Sequence, residues 1–256
     1  MGEAGQEIVE QLLPGLRKEY AVDVVIAQAE NVTAGKGISV ADYKRLQAAG
    51  VNFFSGGNHI FDTKEIYTQL NDPDEPIIRP ANYPTGTPGL GYKYLTTPQG
   101  KILVISLLGQ IVGKQSLQVL DNPLKVVDTI LAAEQSTDKI ATVVNFHGDF
   151  SSEKVIIGHY LDGRATLVVG DHWHIPTADA RLLPKSTAHI TDVGMCGALN
   201  SSLGVTFDSV VPRWRDGIQT RNILESAGPR QFNAVLVTVS SNGLASSIEQ
   251  IQRQHS

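Results

Sequence analysis

Metal-binding residue types follow four separate apolar segments of the chain. Each segment is short and rich in valine, leucine, isoleucine or phenylalanine, which is the composition of a buried strand. The candidate ligands that come directly after these segments are Glu30, Asn31, Asn58, His147, His172 and His174. Because ligands collect at the carboxyl ends of strands in open α/β sheets, we expect these side chains to meet at one edge of a sheet.

The types of side chain in this set limit the metal and the chemistry. Imidazoles with a carboxylate and amide oxygens suit Mn, Fe or Zn, and a single cysteine, Cys196, excludes a thiolate cluster. A carboxylate that bridges two ions about 3.5 to 4 Å apart is the usual device of two-metal phosphoryl hydrolases. We therefore expect Glu30 to be the bridge. The same ligand types also suit a two-metal amidohydrolase or another zinc hydrolase.

Each of these residues also has an ordinary explanation, such as a turn after a strand, and only their joint placement favours a metal site. Asp62, Asp149 and Asp192 are close enough in sequence to orient imidazoles, although surface turns explain them equally well. The glycine-rich stretch at 34–37 lacks the spacing of a P-loop, but its Lys36 is placed to touch phosphate. Packing, solvent or a tail position explains the other histidines, which are His159, His189 and His255.

The elements that must position these residues alternate between helix and strand. The apolar period predicts helices over 5–20, 39–49, 63–70, 121–134 and 151–161. Buried parallel strands are predicted over 22–29, 51–55, 141–146 and 165–170, with a further strand over 188–191. Hairpins are predicted over 92–107 and 233–251, and 209–214 is ambiguous. The expected fold is α/β, with central mixed β-sheets flanked by helices.

Length and composition predict a single domain over residues 1–256. Apolar residues make up 41% and charged residues 18%, and we find no linker, repeat or low-complexity tract. The net charge of −5 argues against an extended nucleic-acid surface. No apolar run is long enough to span a membrane, and no signal peptide is evident. With one cysteine, we expect a cytoplasmic protein.

A family resemblance extends over nearly the whole chain, in order. The segments that carry it are Glu30-Asn31 with Gly35-Lys36-Gly37, Gly57-Asn58-His59, Arg79-Pro80-Ala81-Asn82, Gly86-Thr87-Pro88-Gly89, Phe146-His147, Ser152-Glu153-Lys154, Asp162-Gly163-Arg164-Ala165, His172-x-His174, Thr177-Ala178-Asp179 and Thr191-Asp192-Val193-Gly194-Met195. In these segments the chain resembles the YmdB-type bacterial metallophosphoesterases, a calcineurin-like family.

The resemblance implies an enzyme that hydrolyses phosphodiesters with two divalent ions. Fe or Mn is favoured, Zn or Mg is also compatible, and 2′,3′-cyclic nucleotides such as 2′,3′-cAMP are the favoured substrates. Glu30 would bridge the ions, a metal-bridging hydroxide would attack phosphorus in line, and His59 would protonate the leaving ribose oxygen. The other ligands would divide into Asn58, His147 and His172 on one ion, and Asn31 and His174 on the other. Homo-oligomers are compatible with this family.

Two departures from the family pattern keep an alternative open. Relatives begin with an apolar strand that ends in Gly-Asp, whose aspartate is a metal ligand, whereas this chain begins at Met1, just beyond that point. A truncated start is the favoured explanation, and a real loss of the ligand is the other. Relatives also show His-Ala-Glu more often than the sequence at 147–149. The alternative function is a regulatory protein that binds metal or nucleotide without turnover.

Overall fold

A computed structural model describes residues 1–113 and 116–256 of the chain. Two helices begin after residues that cap them: the side chains of Ser39 and Asn122 accept hydrogen bonds from backbone N–H groups in the first turn of the helix that follows. The helices are α1 (Gly2–Glu19), α2 (Val40–Ala48), α3 (Tyr67–Asn71), α4 (Pro123–Ala133), α5 (Ser151–Tyr160) and α6 (Phe207–Asp216). Within the described residues, none of them has both the length and the apolar character needed to cross a bilayer.

The strands of the described residues form three sheets, with orders β1-β2-β3, β4-β5-β6-β7-β9-β8 and β10-β11-β12. Their bounds are β1 (Ile26–Gln28), β2 (Phe53–Ser55), β3 (Ile77–Ile78), β4 (Tyr92–Thr97), β5 (Gly100–Leu108), β6 (Ala141–His147), β7 (Leu167–Asp171), β8 (Arg181–Leu182), β9 (Ala188–Ile190), β10 (Gly197–Ala198), β11 (Arg230–Val239) and β12 (Ala245–His255).

The six-stranded sheet is mixed, as predicted. Strands β5, β6, β7 and β9 are parallel, and β4 and β8 pair antiparallel with β5 and β9. The parallel strands are rich in β-branched and leucine residues, and Val104, Val144 and Val168 are fully buried. Helices α4 and α5 contribute Val127 and Ile157 to one apolar cluster with Val144 and Val168. The expected α/β fold with mixed sheets and flanking helices is therefore confirmed.

The two smaller sheets share a second apolar cluster with α1 and α2. Ile8 and Leu16 of α1 lie in one cluster with Phe54 of β2, Phe232 of β11 and Ile251 of β12. Their burial explains why α1 forms despite Pro14 in its interior, because tertiary packing rather than propensity supplies most helix stability.

The prediction of a long strand over 22–29, buried on both faces, is wrong. β1 covers only Ile26–Gln28, and all three residues are half-buried. In the described part of the chain, β1 lies at the edge of its sheet and pairs with β2. A strand paired along one side has less neighbouring structure to cover it, whereas the valine-rich pattern suggested a central strand.

The other predicted elements form, whereas the two-residue strands β3, β8 and β10 were not predicted. Both predicted hairpins form, as the β4–β5 and β11–β12 pairs. The ambiguous segment at 209–214 lies inside α6, which ends at Gly217 in the left-handed conformation, with φ 69°. Pro212 lies within this helix and obscured its periodicity.

Candidate metal centre

The candidate ligands follow strands that end side by side. Parallel strands β6 and β7 end at His147 and Asp171, which lie opposite each other in the pairing register. In the neighbouring small sheet, Glu30 follows β1 and Asn58 follows β2, and these strands are also parallel. The ends of both sheets therefore contribute to one site, as the sequence predicts.

Glu30, His147 and His172 form the centre of this site. One ligand atom of each lies within 4.8 Å of the others, which is the spacing of side chains that could share a cation. Nε2 of His147 lies 3.1 Å from Oε1 of Glu30, and the rings of His147 and His172 are 4.5 Å apart between centroids. Glu30 and His147 are fully buried, and His172 is partly exposed.

Asn58 also lies at this centre. Its Oδ1 is 2.6 Å from Nε2 of His147, and the residue is buried. The preceding Gly57 permits this close approach, because a Cβ there would lie 2.2 Å from Oε2 of Glu30 and 2.6 Å from Cγ of His147. A side chain at position 57 would clash with both the carboxylate and the imidazole, so glycine is required there.

The electrostatics of the centre favour positive charge. Burial acts to raise the pKa of Glu30, but the charge of His147 and the hydrogen bond from the backbone N–H of His59 outweigh it and lower that pKa to about 2. Burial acts to lower the pKa of His147, but Glu30 and Asp171 outweigh it and raise that pKa to about 10. The buried carboxylates thus create a field that favours positive charge, and a divalent ion held by a neutral His147 would satisfy the same field.

Asp171 fixes the orientation of His147, a role that the sequence did not reveal. Its Oδ1 forms a short contact with Nδ1 of His147, and its Oδ2 accepts a hydrogen bond of 2.6 Å from Nδ2 of Asn145. A donor bond from Nδ1 directs Nε2 toward Glu30 and Asn58, as in many histidines that bind metals. Its position at the end of β7, opposite His147, was the only available signal in the sequence.

His172 is held by Asp149, one of the three aspartates predicted to orient imidazoles. Oδ1 of Asp149 lies 3.2 Å from Nε2 of His172. Burial is the largest cause of the lowered pKa of His172, followed by the charge of His147, so the ring favours the neutral form that binds metals. The backbone at His172 has φ 104°, a conformation that residues other than glycine rarely adopt.

His174 and Asn31 form a separate pair beside this centre. Nε2 of His174 lies 3.2 Å from Oδ1 of Asn31, and Nδ1 of His174 is 3.0 Å from the carbonyl oxygen of Leu203. Burial lowers the pKa of His174, which keeps its imidazole neutral. The side chains of the second predicted group thus lie together, and Glu30, the neighbour of Asn31 in the chain, belongs to the first.

His59 lies at the edge of the centre. Its backbone N–H donates to Oε2 of Glu30 at 3.0 Å, and Nδ1 of its ring is 2.9 Å from Oδ2 of Asp62. The prediction that Asp62 orients an imidazole agrees with this contact. The ring of His59 is 22% exposed, in contrast to the buried ring of His147, so it can meet a molecule that enters from solvent.

Among the described residues Asp192 bonds to no imidazole, and it is fully buried, so neither of the two interpretations left open by the sequence, an imidazole partner or a surface turn, holds. Its Oδ2 accepts hydrogen bonds from Nζ of Lys154 at 2.7 Å and from the backbone N–H of Trp173 at 2.9 Å. Nζ of Lys154 also donates to the carbonyl oxygen of Asp171 and lies 3.9 Å from the centre of the Trp173 ring. This buried ion pair therefore supports the segment that carries His172 and His174.

The residues at the centre fit a divalent metal. Oε1 of Glu30 is fully buried and accepts no well-aligned hydrogen bond from the described residues, and its ion-pair contact there is Nε2 of His147 at 3.1 Å, so the oxygen keeps capacity to bind a cation. A carboxylate oxygen, an amide oxygen and imidazole nitrogens converge there, and this donor set suits Mn, Fe or Zn.

The remaining candidates lie outside the centre or at its margin. Lys36 is exposed in the turn after Asn31. His189 is buried in β9 with Nδ1 3.0 Å from the carbonyl oxygen of Val168, so its predicted packing role agrees with the structure. His159 is exposed on α5.

Comparison with known proteins identifies relatives of the same kind. Residues 1–251 match the YmdB-like protein family. A relative from Bacillus subtilis (strain 168), named 2′,3′-cyclic-nucleotide 2′-phosphodiesterase, is 37% identical over 222 residues, which cover 86% of this chain and 81% of the relative.

Two solved structures have the same fold over the whole chain. A hypothetical protein from Thermus thermophilus has a TM-score of 0.90 and 36% identity, and the match covers 100% of this chain and 96% of that one. A novel phosphatase from Mycoplasma pneumoniae has a TM-score of 0.91 and 32% identity, with coverage of 100% and 90%. The resemblance noted in the sequence is thus confirmed, and the chain belongs to the YmdB-like protein family.

Proposed function

We propose that this protein is a metal-dependent phosphodiesterase that hydrolyses 2′,3′-cyclic nucleotides, with 2′,3′-cAMP as a representative substrate. The observation that carries the proposal is the convergence of Glu30, Asn58, His147 and His172 at the ends of strands from two sheets. The name of the Bacillus subtilis relative supports the substrate class. A hydrolase of this kind needs positive charge next to the bound phosphate, and the side chains of this centre are suited to binding cations.

The ligand assignment follows the two groups of side chains. We assign one ion to Glu30, Asn58, His147 and His172, and a second to Asn31 and His174, with Glu30 as the bridge. Fe or Mn fits this set best, and Zn or Mg is also compatible. Two bound ions would neutralise the phosphoryl oxygens and acidify the attacking water. The contact from Asp171 to Nδ1 of His147 would keep Nε2 available as a ligand atom.

His59 is the proposed general acid. The contact between Nδ1 and Oδ2 of Asp62 fixes the ring, and Nε2 can then donate a proton to the leaving ribose oxygen. The hydrogen bond from the backbone N–H of His59 to Oε2 of Glu30 fixes this acid beside the metal centre. The acid and the ligands therefore act on the same phosphate.

The test of this role is His59→Ala, assayed with 2′,3′-cAMP after loading with Mn²⁺. General acid catalysis contributes about 10²- to 10⁴-fold, so kcat should fall by that order while nucleotide affinity persists. His159→Ala, which changes an exposed histidine on α5, is the matched control and should keep full activity. Unchanged turnover in His59→Ala would overturn the role, and a wild-type protein that binds the nucleotide without turnover would instead be the regulatory binder.

A substrate panel separates the phosphodiesterase from other two-metal hydrolases. The wild-type protein loaded with Mn²⁺, Fe²⁺ or Zn²⁺ is assayed with 2′,3′-cAMP and with amide and carboxylic ester substrates. We expect turnover of the phosphodiester only. Turnover of an amide in place of the diester would establish the amidohydrolase interpretation and end the present proposal.

The remaining features of the proposal concern the whole protein. We propose that residues 1–256 act as one domain in the cytoplasm, with a small-molecule phosphodiester as the partner and no extended nucleic-acid surface. The net charge of −5 and the single cysteine support these statements. The family resemblance supports an ability to form homo-oligomers, which light scattering of the purified protein would measure.

A further inference from the structure

A cavity of about 500 Å³ lies beside the metal centre. Its walls come from the segment after β5 and from the residue before α5. The described residues that matter here are Gln110, Ile111, Val112, Gln118, Leu120 and Phe150. This volume is within the range of about 300 to 1,000 Å³ that small-molecule sites occupy.

Asp149 joins this cavity to the metal centre. One carboxylate oxygen of Asp149 lies 3.2 Å from Nε2 of His172, and the other accepts a hydrogen bond of 2.6 Å from the backbone N–H of Val112. Phe150, the next residue in the chain, lines the cavity. His172 and the cavity-lining Val112 therefore contact the same carboxylate, which places the cavity next to the metal centre.

The walls combine apolar side chains with amides. Phe150 is 43% exposed and Val112 is 59% exposed, whereas large apolar side chains in folded proteins are usually buried. Gln110 and Gln118 supply amide groups on the same lining. The hydroxyl of Tyr83 donates to Oε1 of Gln118 at 3.2 Å, which fixes the direction of that amide.

Tyr83 provides a second link between the cavity and the centre. Its ring packs edge-on against Phe61, with centroids 5.3 Å apart, on the segment that follows His59. Burial raises the pKa of Tyr83 to about 12, with a further contribution from the charge of Glu30, so its hydroxyl remains a donor. The cavity is thus bounded by residues anchored to His172 on one side and to the His59 segment on the other.

We propose that this cavity is the nucleobase subsite, with the ring of Phe150 as the stacking surface and the amides of Gln110 and Gln118 as partners for the polar edge of the base. This inference rests on the proposed function and deepens it. A nucleobase is the one part of a 2′,3′-cyclic nucleotide that is both flat and apolar on its faces and polar at its edge, which matches these walls.

The test compares two substrates with the same five-membered cyclic phosphodiester: 2′,3′-cAMP, and glycerol 1,2-cyclic phosphate, which has no base. Phe150→Ala should lower kcat/KM for 2′,3′-cAMP about 5- to 150-fold, mainly through KM, because aromatic stacking contributes that much per base. The same variant should act on glycerol 1,2-cyclic phosphate within about twofold of the wild type. Phe150→Tyr should restore the activity on 2′,3′-cAMP.

Phe207→Ala is the matched control, since Phe207 is an aromatic residue of similar exposure on α6. It should leave both substrates unaffected. Equal loss on the two substrates in Phe150→Ala, or no loss on 2′,3′-cAMP, would overturn the subsite. A wild-type protein that hydrolyses neither diester would overturn the proposed function instead. Thermal unfolding of each variant checks that the chain is folded, and Gln118→Ala tests the same wall independently.

Discussion

At the scale of single residues, the centre depends on groups that hold the ligands as much as on the ligands themselves. Asp171 contacts His147 and is itself bonded to Asn145. Asp149 contacts His172, and Asp62 contacts His59. Such partners fix the tautomer and direction of an imidazole, and their loss typically costs about 10- to 100-fold in metal affinity or activity.

Asp171→Asn tests this dependence most directly. The amide keeps the shape of the side chain but removes the charge that holds Nδ1–H of His147, so Mn²⁺ affinity or kcat/KM should fall about 10- to 100-fold. Asp128→Asn is the control, because Asp128 is a surface carboxylate bonded to Tyr160 and Arg164. Isothermal titration with Mn²⁺ measures the effect, and wild-type affinity in Asp171→Asn would contradict the positioning role.

Gly57→Ala tests the close packing of the centre. The added methyl group would meet Oε2 of Glu30 at 2.2 Å, so the carboxylate or His147 must move, and a displacement of about 1 Å can cost about 100-fold in activity. Gly15→Ala, in α1, meets nothing within 4 Å and should stabilise the protein by about 0.5 to 1 kcal/mol. Full activity in a folded Gly57→Ala protein would show that the centre tolerates the change.

The sequence predicted where the candidate ligands lie better than it predicted the residues that contact them. Glu30, Asn58, His147 and His172 converge because each follows a strand, and strand ends can be recognised from apolar runs. Asp171 was missed because it is the last residue of a strand, where its role depends on pairing with β6 rather than on any local pattern. The contacts of Asp192 could not be predicted for the same reason, since they depend on how α5 packs.

At the scale of elements, a buried ion pair ties α5 to the segment after β9, and Asp192 of that pair also accepts a hydrogen bond from Trp173 in the loop after β7. Lys154 and Asp192 are both fully buried, and Gly158 of the same helix packs so closely on β9 that a Cβ would meet His189 at 2.6 Å. Removal of one partner from a buried pair leaves an unpaired charge, which is far more damaging than the loss of a surface pair.

Lys154→Met should therefore lower the free energy of unfolding by about 3 to 5 kcal/mol. The control is Arg215→Met, which breaks an exposed pair with Asp216 and should leave the free energy of unfolding almost unchanged. Urea unfolding followed by circular dichroism gives both values. Similar small losses in the two variants would mean that the buried pair is not a main support of this loop.

Elements that have turn or cap residues beside them could be predicted from the sequence. Elements that form only by pairing with distant parts of the chain could not. The two hairpins and the helices after Ser39 and Asn122 follow from turn and cap residues near them. The two-residue strands β3, β8 and β10 have no such signal, because two residues carry no periodicity. The length of β1 was overestimated because the pattern cannot reveal which strands have a neighbour on each side.

At the scale of the whole molecule, the candidate ligands connect two sheets. Glu30 and Asn58 follow strands of the β1-β2-β3 sheet, whereas His147 and His172 come from the ends of strands in the six-stranded sheet. An ion bound by both sets would link the sheets in the folded protein. The unfolded chain has no such site, so binding should add to stability.

Mn²⁺ at about 100 times its dissociation constant should stabilise the protein by about 2.7 kcal/mol and raise Tm by roughly 5 to 10 °C. Scanning calorimetry with Mn²⁺ and then with excess EDTA measures the shift. Glu30→Gln should lose most of it, while Glu65→Gln, which lies outside the centre, should keep it. A shift of the same size in Glu30→Gln would place the stabilising ion elsewhere.

The backbone conformation at His172 and His174 affects the balance between stability and activity. Both residues have positive φ, 104° and 64°, where glycine would be accommodated at lower energy. His172→Gly and His172→Ala remove the same imidazole, yet the glycine variant should be more stable by about 1 to 2 kcal/mol, as measured by urea unfolding. The histidine at this position is therefore less stabilising than glycine would be, and its ring is placed in the candidate metal centre at a cost to the stability of the fold.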